Sequence, residues 1–297
     1  MTQDLTQEAP RDTTGDTVGG MSVTFWGVRG GIACPGPAYA GFGGNTSCVE
    51  LRCGGRTLIF DAGTGIRRLG DRLVAEGRDR DLDLLISHSH IDHLIGLPFF
   101  APAFRPASTI RLWTGHREAH AHLRTAIAQL MTPPLFPITP EVFAATLAFR
   151  DFRAGDGFDL GDGLALRTAP LNHPGGATAY RVDAAGRSFG YFTDHEAGGA
   201  PPAPALVELA RGLDLLVVDA SYAPDEIAGR RGWGHSTYVE AVALAEAAGV
   251  GRLALFHHDP SHDDAAMAAI EAEAAGLRPG TFAARDGQRI VLAPPRP

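Results

Sequence analysis

Residues 87–96, SHSHIDHLIG, place three histidines and one aspartate within six positions, directly after the apolar run LDLLI (82–86). A short apolar run bounded by polar residues reads as a buried strand, so the cluster sits where that strand ends. Side chains at alternate positions of an extended chain share a face, which lets His88 and His90 point together. Asp92 and His93 are adjacent and are expected to diverge. One short turn can then serve two metal positions. Nitrogen and oxygen donors without thiolate suit zinc or another borderline first-row cation. A catalytic zinc takes three protein ligands and keeps one position for water. Two cations therefore need about six ligands, and distant segments must supply the remainder.

Those segments can be read for their elements. MSVTFWGVRG (21–30) is a strand running into a glycine loop. SCVELRCGGRTLIFDAGTG (47–65) is a hairpin turning at Gly54-Gly55. IRRLGDRLVAEG (66–77) is a helix ended by Gly77. TIRLW (109–113) is a strand, 116–131 a helix stopped by Pro133 and Pro134, and 132–140 a proline-rich loop. The segment VFAATLAFRDF is mixed. Strands are expected at 164–171, 178–183, 188–194 and 214–220, the last fully buried. An amphipathic helix (237–249), a strand in RLALFHHD and a helix over 263–276 complete the chain. Interleaved strands and helices suggest sheets covered by helices in one domain, 21–297. The polar residues 1–20 are expected to form a flexible tail.

Composition bounds the function. Three cysteines, Cys34, Cys48 and Cys53, form no CxxC pair; an odd, sparse set fits a reducing compartment, here expected to be the cytoplasm. No apolar run approaches the roughly 20 residues that span a bilayer. A net charge of −8 disfavours a large nucleic-acid footprint. All 26 basic residues are arginine, so lysine chemistry is excluded.

The H-x-H-x-D-H motif after a strand resembles that of the metallo-β-lactamase superfamily. The resemblance implies an α+β fold, the four-layer αββα sandwich. It also sorts the other histidines. PLNHPGG (170–176) resembles the family's third histidine motif and nominates His173. YFTDHE (191–196) puts Asp194 where the family bridges two metals, with His195 as a neighbour. In LALFHHDP (253–260) the last ligand is expected to be His257, which immediately follows the strand, with His258 as the alternative or a substrate contact. The implied partition is His88, His90 and His173 on one ion, Asp92, His93 and His257 on the other, and Asp194 shared. Zinc is expected, and manganese or iron would also suit these donors. Asp61, in FDAGTG, is expected to orient a ligand histidine. His116, His120, His122 and His262 are expected on solvated faces.

GHSTYVEAVALAEAAG (234–249) resembles the H-S-T segment of the ribonuclease Z and phosphodiesterase branch, with Ser236 and Thr237 as helix caps. GVRGGIACPGPAYAGFGGNTSCVEL (27–51) resembles the cyclic-phosphodiesterase branch, and Asn45, Thr46 and Ser47 would offer donors to substrate. The expected activity is a dinuclear phosphodiesterase. Hydroxide generated at the cations would attack phosphorus, Asp92 would accept a proton, and His235 would protonate the leaving alkoxide. The acidic chain and the few positive charges of 101–160 favour a small cyclic nucleotide or cyclic sugar phosphate. Trp233 leads the aromatic candidates for stacking, ahead of Phe99, Phe100, Phe104, Phe136 and Tyr222. Alternatives are hydrolysis of a thioester or lactone, RNA 3′-processing on the same fold, and metal-bearing ligand binding without turnover. Relatives of the branch suggest a homodimer.

Overall fold

The computed structural model describes residues 20–115 and 122–293. The tail, His116 and His120 lie outside them, as does the side chain of His122. In chain order the strands are β1 (Met21–Gly27), β2 (Cys48–Cys53), β3 (Arg56–Phe60), β4 (Asp81–Ile86), β5 (Thr109–Thr114), β6 (Thr146–Asp151), β7 (Gly157–Asp159), β8 (Ala165–Leu171), β9 (Ala177–Ala184), β10 (Arg187–Phe192), β11 (Leu215–Asp219), β12 (Arg252–Phe256), β13 (Thr281–Ala283) and β14 (Arg289–Leu292). The helices are α1 (Ile66–Ala75), α2 (His122–Leu130), α3 (Pro204–Ala210), α4 (Tyr238–Ala247) and α5 (Asp264–Leu277).

Two seven-stranded sheets result, ordered β14-β1-β2-β3-β4-β5-β6 and β13-β12-β11-β10-β9-β8-β7. Each pairs antiparallel on one side and parallel on the other, with β3 to β6 and β10 to β13 forming the parallel halves. The central strands read as unbroken apolar runs because both of their faces are covered. In β11, Leu215 and Val217 point between the sheets while Leu216 and Val218 point out toward α3 and α4. In β12, Ala254 and Phe256 point in, and Leu253 and Leu255 point out. On the other sheet, Leu85 points in, and Leu82, Leu84 and Ile86 meet Ile66, Leu69 and Leu73 of α1. Three apolar layers thus separate helix, sheet, sheet and helix, which is the expected αββα sandwich.

Some elements escaped the sequence reading. The mixed segment forms β6. β7, β13 and β14 are three or four residues long, too short to show a period. α3 begins at Pro204 inside a proline- and alanine-rich stretch; proline is favoured at a first helical position. Of the two expected caps, Thr237 caps α4: its Oγ1 accepts from Glu240 N, and the Glu240 carboxylate accepts from Thr237 N, whereas Ser236 Oγ donates to His195 O and accepts from Ala197 N. All three cysteines are buried and free. Among the described residues no helix is long and apolar enough to cross a membrane.

Candidate metal centre

The parallel halves bring the carboxyl ends of β3, β4, β10, β11 and β12 to one edge of the sandwich, the place where open α/β sheets bind ligands. The backbone there is laced across elements. Asp61 N donates to Leu85 O, Ala62 N to His93 O (2.8 Å), and Gly30 N to His258 O (3.1 Å). Three of the five non-glycine residues with positive φ among the described residues lie just past these strands: Asp61 (60°), Asp194 (61°) and His257 (61°).

Asp194 is the hub. Its Oδ2 lies 3.5 Å from His88 Nε2 and 3.6 Å from His173 Nε2. His173 Nε2 lies 3.0 Å from His90 Nδ1. Asp194 Oδ1 lies 3.4 Å from both His93 Nε2 and His257 Nε2. Asp92 Oδ2 completes that second group, 3.3 Å from His93 Nε2 and 3.2 Å from His257 Nε2. The structure therefore gathers His88–His90–His173–Asp194 and Asp92–His93–His257, with Asp194 facing both, and a third group, Asp194–Asp219–His235–His257, adjoins them. Asp92 and His93 converge rather than diverge. They sit in a single 3-10 turn, Ile91–His93, whose tight winding replaces the extended geometry assumed from the sequence.

A second layer presents the ring nitrogens. His93 Nδ1 lies 2.8 Å from Asp61 Oδ2, His173 Nδ1 2.9 Å from Gly234 O, and His257 Nδ1 3.1 Å from Ser221 Oγ. His88 Nδ1 lies 3.1 Å from Ser87 Oγ. In each case Nε2 is left toward the cluster, the arrangement usual for metal-ligating histidine. The Nε2 atoms of His88 and His93 are buried and have no hydrogen-bond partner. Buried polar atoms are rarely left so, and a bound cation would satisfy both. The donor set fits two divalent ions. Burial holds His88, His90 and His173 below the usual imidazole range, in the neutral form that ligates. Burial works against a charged His93, but Asp92, Asp194 and Asp61 outweigh it and raise its pKa.

Asp219 was missed in the sequence, where DLLVVDA shows only a buried strand. It ends β11 as His257 follows β12, and that shared position was the available signal. Fully buried, its Oδ2 lies 2.7 Å from His235 Nδ1 and accepts from His195 N at 3.0 Å. Its Oδ1 accepts from Ser221 Oγ at 2.8 Å, so one carboxylate orients His235 directly and His257 through a hydroxyl. The His235 ring stacks 4.7 Å from that of His257. Burial disfavours a charged His235, but Asp219, with Asp194 and Asp92 beyond it, raises its pKa to about 9. His195 is a neighbour only, its Nδ1 accepting from Asn172 N at 3.2 Å.

Four residues expected to meet substrate, Asn45, Thr46, Ser47 and His258, are engaged elsewhere. Asn45 Nδ2 donates to Asp286 Oδ2 (2.9 Å), and Asn45 Oδ1 accepts from Thr64 (3.1 Å). Thr46 Oγ1 accepts from Thr64 N at 2.8 Å. Both tie the loop to α1's entry. Ser47 is buried, and its hydroxyl lies 3.5 Å from Arg29 O. His258 is fully buried and turned away, with Nε2 donating to Ala284 O at 2.9 Å. His262 is also not a surface residue: it is buried against the Glu226 carboxylate at 2.9 Å. Phe100 is core, while Phe99 and Phe136 pair with each other 5.9 Å apart, and Phe104 pairs with Phe143. Trp233 and Tyr222 line a cleft of about 480 Å³ that His235 and His257 also line.

A family profile described as the beta-lactamase superfamily domain matches residues 56–258. Ribonuclease Z of Bradyrhizobium sp. (strain ORS 278) is 28% identical over 284 residues, spanning 82% of this chain and 92% of that protein. The fold is also that of the metallo-beta-lactamase fold protein YhfI from Bacillus subtilis, with a TM-score of 0.68, 18% identity, and coverage of 92% of this chain and 99% of that one. Human tRNase Z, short form, superposes with a TM-score of 0.64 at 20% identity, over 93% of this chain and 100% of that one.

Proposed function

Because the chain belongs to the beta-lactamase superfamily and is a metal-dependent hydrolase of the phosphoric-diester kind, we propose that it cleaves a small phosphodiester, a cyclic nucleotide or cyclic sugar phosphate, at the histidine cluster. His88, His90, His173 and Asp194 would hold one divalent cation, and Asp92, His93, His257 and Asp194 a second, with zinc as the expected ion. Bound there, such ions neutralise phosphoryl oxygens and lower the pKa of water from about 16 to about 7. Asp92, whose Oδ2 also accepts from Gly31 N at 2.8 Å, is the candidate acceptor for the proton of attacking water. The observation that carries the reading is His235. Asp219 engages its Nδ1 and leaves Nε2 as the nitrogen able to protonate a departing alkoxide. Three free, buried cysteines suit a cytoplasmic setting.

A second reading, RNA 3′-processing, is favoured by the ribonuclease Z relatives, which this chain matches over most of their length. The acidic net charge of −8 favours the small substrate. The test assays bis(p-nitrophenyl) phosphate, 3′,5′-cyclic nucleotides, a thioester and a transfer RNA precursor, alongside elemental analysis. Cleavage of cyclic nucleotides but not of thioester or precursor supports the first reading; cleavage of the precursor alone replaces it with the second. His235→Ala should lower turnover by roughly 10²–10⁴-fold with metal content retained. Equal loss of metal and turnover refutes the role given to His235.

A further inference from the structure

The cleft next to the cluster carries one cationic side chain that the reaction above does not use. Arg230 lines it together with Trp233, Tyr222, His235 and His257. The guanidinium carbon lies 4.8 Å from the Tyr222 ring centroid, and that ring lies 6.0 Å from His235. Arg230 is therefore one ring removed from the proton donor. Its Nη1 donates to Glu226 O at 3.2 Å. The Glu226 carboxylate comes only within 3.9 Å, because it is engaged elsewhere: it accepts from Ala223 N at 2.7 Å and lies 2.9 and 3.0 Å from His262 Nε2. A carbonyl and an aromatic face thus hold the guanidinium in place, and no carboxylate hydrogen-bonds to it among the described residues. The acidic side chain in the lining, Asp259, is turned onto Ser261, accepting from its N at 2.8 Å and its Oγ at 2.5 Å.

Trp233 stands three residues on in the same turn, its N donating to Arg230 O at 3.1 Å. Trp233 is 60% exposed, whereas Trp26 is 6% exposed. The Trp233 loop is nevertheless pinned. The Glu196 carboxylate accepts from Gly232 N and Gly234 N, each at 2.9 Å, and Gly234 O receives His173 Nδ1. At Gly234, with φ of +88°, an added Cβ would lie 2.2 Å from the His173 ring, so the loop backbone packs directly against a histidine of the cluster. An exposed aromatic on a hydrogen-bonded loop, beside an arginine whose carboxylate neighbour stands off at 3.9 Å, is the equipment for a planar ring carrying an anion.

Resting on the phosphodiesterase reading, we propose that this cleft is a two-anion site, in which Arg230 takes a second phosphate of the same small nucleotide whose phosphodiester lies at the histidine cluster, with its base on Trp233. Within small phosphodiesters, the preferred substrate is then a nucleotide, cyclic or linear, that carries a further terminal phosphate. A phosphate paired with arginine gains charge-assisted hydrogen bonds, an advantage of about tenfold or more in affinity.

Two measurements on the metal-loaded protein test it. The first compares kcat/KM for the dinucleotide ApA with that for its 5′-phosphorylated form. The expected preference for the phosphorylated form is about tenfold or more, carried in KM, and it collapses toward unity in Arg230→Gln and recovers partly in Arg230→Lys. The second needs no turnover: quenching of Trp233 fluorescence by adenosine 3′,5′-bisphosphate against adenosine 3′-monophosphate, with Trp233→Phe identifying the signal. The bisphosphate should bind more tightly in the wild type and equally in Arg230→Gln. Equal binding of the two in the wild type, or a preference that survives in Arg230→Gln, overturns the proposal. If no phosphodiester is hydrolysed, the phosphodiesterase reading fails, and the quenching titration still decides for or against the second-phosphate site.

Discussion

Replacing Asp61 with asparagine should remove a metal without removing the fold. Asp61 is fully buried. Its Oδ1 accepts from Ser87 N at 2.7 Å. Its Oδ2 accepts from Ser87 Oγ (2.8 Å) and Tyr191 Oη (2.9 Å) and lies 2.8 Å from His93 Nδ1. Asparagine keeps the shape, tolerates the φ of 60°, and keeps one acceptor for Ser87 N. Its amide nitrogen then faces Oδ2's partners. The two hydroxyls can rotate and accept. His93 can only respond by moving its proton from Nδ1 to Nε2, the atom that faces Asp92 and Asp194. A protonated Nε2 cannot ligate.

Loss of an outer partner of a metal-bound histidine typically costs 10–100-fold in affinity, and a forced change of tautomer belongs at or beyond the upper end of that range, about 100-fold. The stability cost should stay near 1–3 kcal/mol, the price of one poorly matched buried group. Asp61→Ala would instead strand several buried donors and cost more. The assay is metal content by elemental analysis after dialysis against graded chelator, with thermal unfolding in parallel. Asp61→Asn should lose one ion per chain at chelator concentrations that leave the wild type with two. Retention of both ions at wild-type affinity would refute the tautomer argument, because the fold would then have supplied His93 with another acceptor.

Gly30→Ala should act on the same cation from the opposite side: an added Cβ would lie 2.2 Å from the His257 ring, and elemental analysis should show a loss of metal with overpacking of about 1–3 kcal/mol in denaturant unfolding. Glu196→Ala should free the Trp233 loop, raising KM more than it lowers kcat, with Glu196→Gln intermediate; unchanged KM and unchanged Trp233 anisotropy would show that the loop holds itself. Asp286 should oppose stability at neutral pH. Burial outweighs the amide bonds from Asn45 and raises its pKa from the ordinary 3.8 to about 6. The folded state therefore binds the proton more tightly than the unfolded one, and stability falls as pH rises from about 4 through 6. Asp286→Asn should flatten that part of the profile and gain up to about 3 kcal/mol at pH 7; parallel urea-unfolding profiles for the two proteins would contradict it.

The legible part of this molecule is what local pattern encodes. Two-sided burial writes β4, β11 and β12 as apolar runs, and side chains of the proposed metal centre sit just past strands of this kind, so strand ends marked His88, Asp194 and His257. Asp219 occupies the same kind of position and was passed over because a single aspartate after DLLVV carries no local chemistry. Its role appears only when β11 lies beside β12 and His235 arrives from the loop before α4. Glu196 and Arg230 were opaque for the same reason: their partners are glycine amides 36 and 38 residues on and a tyrosine face. Asn45, Thr46 and His258 were misassigned by adjacency. They flank residues near the site, but the loop they stabilise spends their polar atoms on Asp286, Thr64 and Ala284.

Backbone strain separates the site from the scaffold where side-chain identity does not. Of the five left-handed non-glycine residues among those described, Asp162 and Ala185 stand in the turns after β7 and β9, beside Gly161, Gly163 and Gly186, where a turn asks for that conformation. Asp61, Asp194 and His257 have no such excuse. Each follows a strand of the parallel halves, and each points a donor inward, toward the cluster or its supporting histidine. Glycine would adopt the conformation without strain but would supply no donor. Strain of roughly 1–3 kcal/mol at each position is therefore maintained by what those side chains hold: His93 for Asp61, both donor sets for Asp194, and the Asp92 group for His257. Without cations, Asp194 and His257 keep the strain and lose part of its compensation, and the carboxylate and imidazoles face one another with unpartnered Nε2 atoms among them. It follows that metal binding and folding are coupled most strongly at these strand ends. Removal of the cations should loosen β10 and β12 at their carboxyl ends, seen as faster amide exchange there, while the antiparallel β1–β2 and β8–β9 pairs exchange as before. Uniform exchange across both sheets after chelation would mean that the strain is absorbed by the fold alone.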